Sequence, residues 1–297
     1  MLKIGVIGAG SIGLLFGAYM HKMFDVTVYT RSVGQAEQIN KNGIRLIKKA
    51  GVLTAKVRAE VLGGEVMDND LTIVAVKQYQ LETVIRHLPA KGALLFLQNG
   101  MGHLRLLDQL EADDIYVGSV EHGALRESPD SVSHNGEGLT RVAVFRGDSR
   151  LLVEAAELLS ANFPLQLEPD YFEMLAGKLS ANAVINPLTA ILGVRNGELV
   201  ENAHYEKLLE RVFEEAACIL DFNDKQERLL KVKGICRNTS ENRSSMLKDL
   251  DAGRETEVDA IVGYLLDEAA HKGLEAPLLR ALYEMIKGKE RSGRESG

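Results

Sequence analysis

The apolar positions of this chain fall into two regimes. In the first half, the runs LKIGVIG at 2–8, DVTVYT at 25–30, LTIVAV at 71–76 and ALLFLQ at 93–98 are each compact and rich in Val, Ile and Leu. Such runs predict parallel strands buried on both faces. Amphipathic stretches with helical spacing lie between and after them, at 11–22, 34–42, 78–87 and 104–110. Strand–helix alternation of this kind predicts a doubly wound α/β sheet. From about Ile115 the pattern changes. IYVGSV, SVSHN and TRVAVF predict strands joined by turns, some of them antiparallel, and a helix over 149–162 and a short strand over 165–167 follow.

After Pro169 no strand pattern remains. Helical patterns run over 171–186, 202–221, 224–237, 257–272 and 277–289. Pro277 suits a first helical turn, where its missing N–H costs nothing. Pro187 is expected to kink or end the first of these helices and to push Asn186 out of helical geometry. The predicted architecture is α/β: an N-terminal Rossmann-type doubly wound sheet over residues 1–168, then an all-helical domain over 169–297 with a frayed tail from about Gly288. The cleft between two such domains is the default place for chemistry.

One turn in this pattern carries a ligand signature. Gly8-Ala9-Gly10-Ser11-Ile12-Gly13 follows the strand KIGVI directly and opens a helix, with a second strand after it. In that context G-x-G-x-x-G predicts a dinucleotide site. Gly8 permits the tight turn, Gly10 lets the backbone approach a diphosphate, and Gly13 allows close helix–sheet packing. The free N–H groups of the helix N-terminus favour the anion. The end of the second strand reads Tyr29-Thr30-Arg31-Ser32 and lacks the carboxylate that bonds a ribose 2′-hydroxyl. Arg31 can pair with a 2′-phosphate and Ser32 can donate to it, so the cofactor is predicted to be NADP(H). A solvated surface charge is the competing reading of Arg31.

Composition narrows the partners. Of 297 residues 45% are hydrophobic, enough for a sizeable core, and the formal net charge is -7. An acidic chain is not expected to bind nucleic acid, which needs a basic surface to displace counterions. No apolar run reaches membrane-span length and no signal peptide is read at the N-terminus, so the expectation is a cytoplasmic protein. Cys218 and Cys236, the only cysteines, form neither a metal cluster nor a disulfide framework, and no metal is expected.

The helical half opens on its most informative segment, GKLSANAVINP at 177–187. Lys178 and Asn182 lie four residues apart and share a helix face, with Asn186 a further turn along. An ammonium can polarise a ketone and protonate the alkoxide formed by hydride attack. Asparagines can hold hydroxyl or carboxylate oxygens. A structural polar stripe between helices is the bland alternative.

Taken together, GAGSIG at 8–13, Arg31, VKQYQ at 76–80, QNGMG at 98–102, KLSANAVINPLTAI at 178–191, NGEL at 196–199, ENRSSML at 241–247 and RETEVD at 254–259 give the chain a resemblance to the ketopantoate reductase family over nearly its whole length. The resemblance implies NADPH-dependent reduction of the 2-keto group of 2-dehydropantoate to D-pantoate in pantothenate synthesis. It implies Lys178 as general acid and Asn99 between nicotinamide and substrate. Asn182, Asn186, Asn196 and Ser245 match substrate-binding positions. Lys77 and Glu257 match positions that touch the cofactor or organise the catalytic lysine; Ala124, at a cofactor position, is a lesser carry-over, as are Gln80 and Asn242. The keto acid is the expected partner, and a homodimer interface would lie on the helical domain.

Blander readings stand beside several of these. Asn99 before Gly100 suits a turn, Ser245 a helix cap, and Glu257 a surface acid. Family members often carry Thr where this chain has Glu121, which is expected to point outward. His122 is the one rival proton donor, with a turn-associated structural role as its alternative. Two rival functions fit the same architecture: an NADP-dependent dehydrogenase of another 2-keto or 3-hydroxy acid, and a non-catalytic NADP sensor.

Overall fold

The computed structural model describes residues 1–64, 67–89 and 91–295, with side chains to residue 291. The order opens with β1 (Lys3–Ile7), α1 (Ser11–Met20), β2 (Asp25–Thr30), α2 (Val33–Asn42), β3 (Ile44–Lys48), β4 (Gly51–Ala55), β5 (Arg58–Val61) and β6 (Leu71–Val74). A 3₁₀ turn at Gln78–Gln80 leads into α3 (Leu81–Ile85), β7 (Ala93–Phe96), α4 (Leu104–Leu107), β8 (Ile115–Val120), β9 (Gly123–Ser128), β10 (Ser131–Gly136), β11 (Thr140–Arg146), α5 (Arg150–Leu159) and β12 (Leu165–Leu167). Helices complete the chain: α6 (Tyr171–Leu192), α7 (Glu198–Glu201), α8 (Ala203–Ile219), α9 (Lys225–Asn238), α10 (Ser245–Asp251), a π-helical segment Asp259–Gly263, α11 (Tyr264–Lys272) and α12 (Pro277–Glu295).

The chain forms two compact units. One comprises Met1–Gln98 and Leu104–Met174; the other comprises Asn99–His103 and Leu175–Gly297. A single cut after residue 168 does not anticipate the five-residue segment Asn99–His103, which belongs with the helices.

In the first unit β1, β2, β5, β6, β7 and β8 are parallel, in the order β5-β2-β1-β6-β7-β8. This is the dinucleotide-binding order, with its topological switch between β1 and β6. β11 adds antiparallel to β8, and β12 closes that edge parallel to β11. A second sheet, β4-β3-β10-β9, was not evident in the sequence. Helix α1 packs against β1 and β2 of the large sheet and against β3, β9 and β10 of the small one. Instead of the expected amphipathic pattern, α1 is therefore buried almost all round: Leu14, Leu15 and Phe16 are inaccessible.

The second unit is wholly helical among its described residues. One expectation fails there. Helix α6 does not break at Pro187 but runs on to Leu192. A mid-helix proline costs about 3 kcal/mol, and here Ile185, Pro187, Leu188, Thr189 and Ala190 are all buried, so packing outweighs the lost hydrogen bond. The last helix, α12, passes Gly288 and runs to Glu295. Near its end Glu290 is buried, accepts from the Thr256 N–H and hydroxyl at 2.8 and 2.7 Å, and pairs with Lys287. Residues 296 and 297 of the expected tail lie outside the described residues. Among the described residues no helix is long and apolar enough to cross a membrane.

Candidate active site

The glycine loop has a distinct physical reason at each glycine. Gly8 has φ +101°, a conformation L side chains rarely adopt, and its N–H donates to the Tyr29 carbonyl at 2.9 Å. A β-carbon on Gly13 would stand 1.8 Å from the Gly8 carbonyl oxygen, so α1 can close on the turn only over glycine. Gly10 differs. It is the N-cap of α1 in extended geometry, and a β-carbon there would meet nothing within 4 Å. Gly10 thus faces open space at a helix N-terminus with no acidic residue in its first turn. Ala9 is buried and its carbonyl accepts from Gln35 Nε2 at 2.9 Å; Ser11 and Ile12 are half-buried. The loop has the shape and the donors to receive a dinucleotide diphosphate.

At the end of β2 the Thr30 hydroxyl donates to the Ser32 carbonyl at 2.9 Å, and Arg31 and Ser32 stand exposed. Lys77 is half-buried just before the 3₁₀ turn. The chain at that point is fixed by Gln98, whose Nε2 donates to the Val74 and Val76 carbonyls at 3.0 and 2.9 Å. Ala124 lies half-buried on β9. Sequence reasoning missed its strand neighbour Arg126, whose N–H donates to Ser11 Oγ at 3.0 Å and whose guanidinium lies 3.5 Å from the Ala9 carbonyl oxygen. No local pattern marks a residue that meets its partner 115 positions away.

Glu121 and His122 differ in their surroundings. Glu121 is exposed and ion-paired with Arg141, which also reaches Glu168. His122 is packed into the fold: its ring stacks on Phe163, and its Nδ1 accepts from the Gly138 N–H at 3.1 Å. The same nitrogen lies 3.2 Å from His134 Nε2, while His134 Nδ1 lies 2.8 Å from the Tyr19 hydroxyl. Burial, with the neighbouring His134, pushes His122 down to about 4, which makes it a poor proton donor at neutral pH.

In the helical unit the unbroken α6 sets Lys178, Asn182 and Asn186 along one stripe. Four-residue steps advance the face by about 40° each, so the three span about 80° of the circumference. Lys178 and Asn182 are half-buried and Asn186 is buried, on a helix whose other residues from Leu175 onward are mostly core. The Thr189 hydroxyl donates back to the Ile185 carbonyl at 2.7 Å and lies 2.8 Å from Ser244 Oγ, tying the end of α6 to the cap of α10.

Asn99 and Glu257, 158 residues apart, meet directly: Asn99 Nδ2 donates to Glu257 Oε2 at 2.9 Å. Gly100 holds φ +78°, and a β-carbon there would stand 2.0 Å from the Ala260 carbonyl oxygen. Met101 and His103, both inaccessible, anchor the far side of the segment. Burial pushes His103 down to about 4. Glu257 stands two residues before the π-helical segment, and the backbone of its neighbour Thr256 is gripped by Glu290.

Asn196 is buried at the turn after α6. Its N–H donates to the Asn242 carbonyl at 3.0 Å and its Nδ2 to Thr239 Oγ1 at 2.9 Å, while its Oδ1 is buried and has no hydrogen-bond partner among the described residues. Ser245 is exposed at the first position of α10 and is not the cap. That role belongs to Ser244, whose Oγ accepts from the Leu247 N–H at 3.1 Å. Among the described residues no group of three or more His, Cys, Asp or Glu could hold a metal ion.

Comparison with known proteins places this arrangement. The family described as ketopantoate reductase PanE/ApbA matches residues 4–147, and its C-terminal part, ketopantoate reductase PanE/ApbA C terminal, matches residues 171–290. The 2-dehydropantoate 2-reductase of Bacillus subtilis is 44% identical over 295 residues, which cover 98% of each chain. The crystal structure of a probable 2-dehydropantoate 2-reductase from Bacillus subtilis superposes with TM-score 0.91, covering 97% of this chain and all of that one. The ternary structure of a D-mandelate dehydrogenase with NADH and anilino(oxo)acetate, 23% identical, shares the fold at TM-score 0.91, covering 99% of this chain and all of that one. The chain therefore belongs to the ketopantoate reductase family and is an oxidoreductase acting on a CH–OH group.

Proposed function

We propose that this protein reduces the 2-keto group of 2-dehydropantoate to the alcohol of D-pantoate, with NADPH as reductant, as a step of pantothenate synthesis. The observation that carries the mechanism is the unbroken α6, which aligns an ammonium with two amides on an otherwise buried helix. When bound, the reduced nicotinamide supplies a hydride to the carbonyl carbon. As that C–H bond forms, the carbonyl π pair moves onto oxygen. Lys178 Nζ polarises the carbonyl and donates the proton that completes the hydroxyl. Asn182 and Asn186 hold substrate oxygens along the same stripe, with Asn196 and Ser245 as further substrate-binding positions. Asn99 has its amide oriented by Glu257 and serves both nicotinamide and substrate.

The cofactor reading rests on the first unit. Gly8, Ala9, Gly10, Ser11, Ile12 and Gly13 receive the diphosphate, Lys77 and Ala124 border the cofactor, and the exposed Arg31 pairs with the 2′-phosphate. The relatives named 2-dehydropantoate 2-reductase support the substrate, and the D-mandelate dehydrogenase that shares the fold was solved with NADH. The test is NADPH oxidation followed at 340 nm with 2-dehydropantoate and close analogues. Preferred turnover of 2-dehydropantoate is expected. Preference for a keto acid lacking the hydroxymethyl group would overturn the substrate, and tight NADPH binding without turnover of any keto acid would overturn the catalytic reading.

A further inference from the structure

The edge strand β9 carries a cation to the glycine loop. Arg126 lies on that strand two residues after Ala124, so the two side chains project from the same face. The strand reaches the loop because α1 packs against β9. The Arg126 N–H donates to Ser11 Oγ at 3.0 Å. With its oxygen accepting from Arg126, the Ser11 hydroxyl keeps its own proton to donate. The Arg126 guanidinium lies 3.5 Å from the Ala9 carbonyl oxygen and, among the described residues, has no carboxylate partner. That carbonyl is already engaged by Gln35 Nε2 at 2.9 Å, so it is a weak tether for a guanidinium.

The electrostatics are unbalanced as they stand. Helix α1 directs the positive end of its dipole at the same loop, has no side-chain cap and has no acid in its first turn. A guanidinium beside it adds like charge, and Gly10 opens that region to solvent. This arrangement favours an anion that can face several donors at once, the situation in which a planar guanidinium binds phosphate best.

We infer that Arg126 is a cofactor-binding residue, its guanidinium pairing with a diphosphate oxygen of the dinucleotide while its backbone N–H sets the Ser11 hydroxyl to donate to the same group. The inference rests on the dinucleotide reading of the loop. Its source of phosphate is the diphosphate shared by NADH and NADPH, not the 2′-phosphate assigned to Arg31.

The test measures cofactor binding by fluorescence titration and calorimetry, without turnover, in the wild type, Arg126→Ala and Arg126→Lys. Loss of one charge-assisted pair is expected to raise the Kd of Arg126→Ala about 10- to 100-fold for NADPH and by a similar factor for NADH. Lysine should restore part of the affinity, since it keeps the charge and loses the fork. Arg126 is exposed, so the melting temperature of the cofactor-free variant should match the wild type. Two results would overturn the inference: a variant Kd equal to wild type for both dinucleotides, or a loss confined to NADPH. Failure of the wild type to bind either dinucleotide would instead sink the cofactor reading itself.

Discussion

Gly10 and Gly13 stand three residues apart in one motif, yet alanine at each should fail in a different way. At Gly13 the new β-carbon would lie 1.8 Å from the Gly8 carbonyl oxygen and 3.0 Å from its carbon. Gly8 cannot yield easily, because it is held at φ +101° by its bond to Tyr29. Relief therefore requires α1 to move off β1, which opens packing around Leu14, Leu15 and Phe16. Overpacking of this severity costs about 3 kcal/mol or more. For a unit of this size that lowers the melting temperature by roughly 6–12 °C. At Gly10 the backbone has φ -83° and ψ -167°, which alanine adopts freely, and the methyl group meets nothing. The small loss of N-cap preference is offset by a less flexible unfolded chain, leaving stability within about 1 kcal/mol of wild type. On the proposed cofactor reading, the diphosphate approaches through that open space. Pushing it off one or two charge-assisted backbone bonds costs about 3 kcal/mol, roughly a 100-fold rise in NADPH Kd. Thermal melts of the cofactor-free proteins together with NADPH titrations separate the two effects. Wild-type NADPH affinity in Gly10→Ala, or equal loss of melting temperature in both variants, would refute the reasoning.

The remaining predictions address chemistry, cofactor choice and pH. Lys178→Ala should lower kcat by about 10²- to 10⁴-fold with NADPH Kd nearly unchanged, as read by steady-state kinetics beside direct titration; a near-normal kcat would remove Lys178 from its role. Arg31→Ala should raise NADPH Kd about 10-fold and leave NADH Kd alone, so an equal effect on both would count against a 2′-phosphate contact. His103 has its pKa lowered from 6.5 to about 4 by burial. Between those pH values the unfolded chain holds a proton that the folded chain does not, so the stability is full above pH 6.5 and is lost as pH falls towards 4. The whole displacement is worth about 3 kcal/mol. Urea midpoints at pH 7.5 and 4.5 should diverge less in His103→Leu than in wild type, and an unchanged divergence would exclude His103 as a source.

What could be read from the sequence divides along physical lines. The central strands β1, β2, β6 and β7 were legible because burial on both faces imposes compact runs rich in Val, Ile and Leu. Strands β4 and β5 were not. Val52, Leu53 and Thr54 are all exposed, and β5 reads RAEV at a sheet edge, so neither shows a period that burial could have written. The glycine loop was legible because each glycine answers a local steric demand. Pro187 misled because local propensity disfavours what the burial of α6 enforces. Ser245 and Ser244 differ by one position, and only the bond to the Leu247 N–H tells which is the cap. The Asn99–Glu257 bond spans 158 residues, a separation that spacing does not encode.

The short segment Asn99–His103 bears on how such chains can be recombined. The backbone passes from one unit to the other at three places, so the helical unit is not a detachable cassette. A chimera joined after Met174 would pair the helices of one parent with the QNGMG turn of another. Gly100 must then fit under a foreign Ala260 carbonyl with no β-carbon to spare, and Asn99 must find a carboxylate at the position of Glu257. Residues 99–103 must therefore be exchanged together with the C-terminal half, as a second, discontinuous piece of the same inheritance.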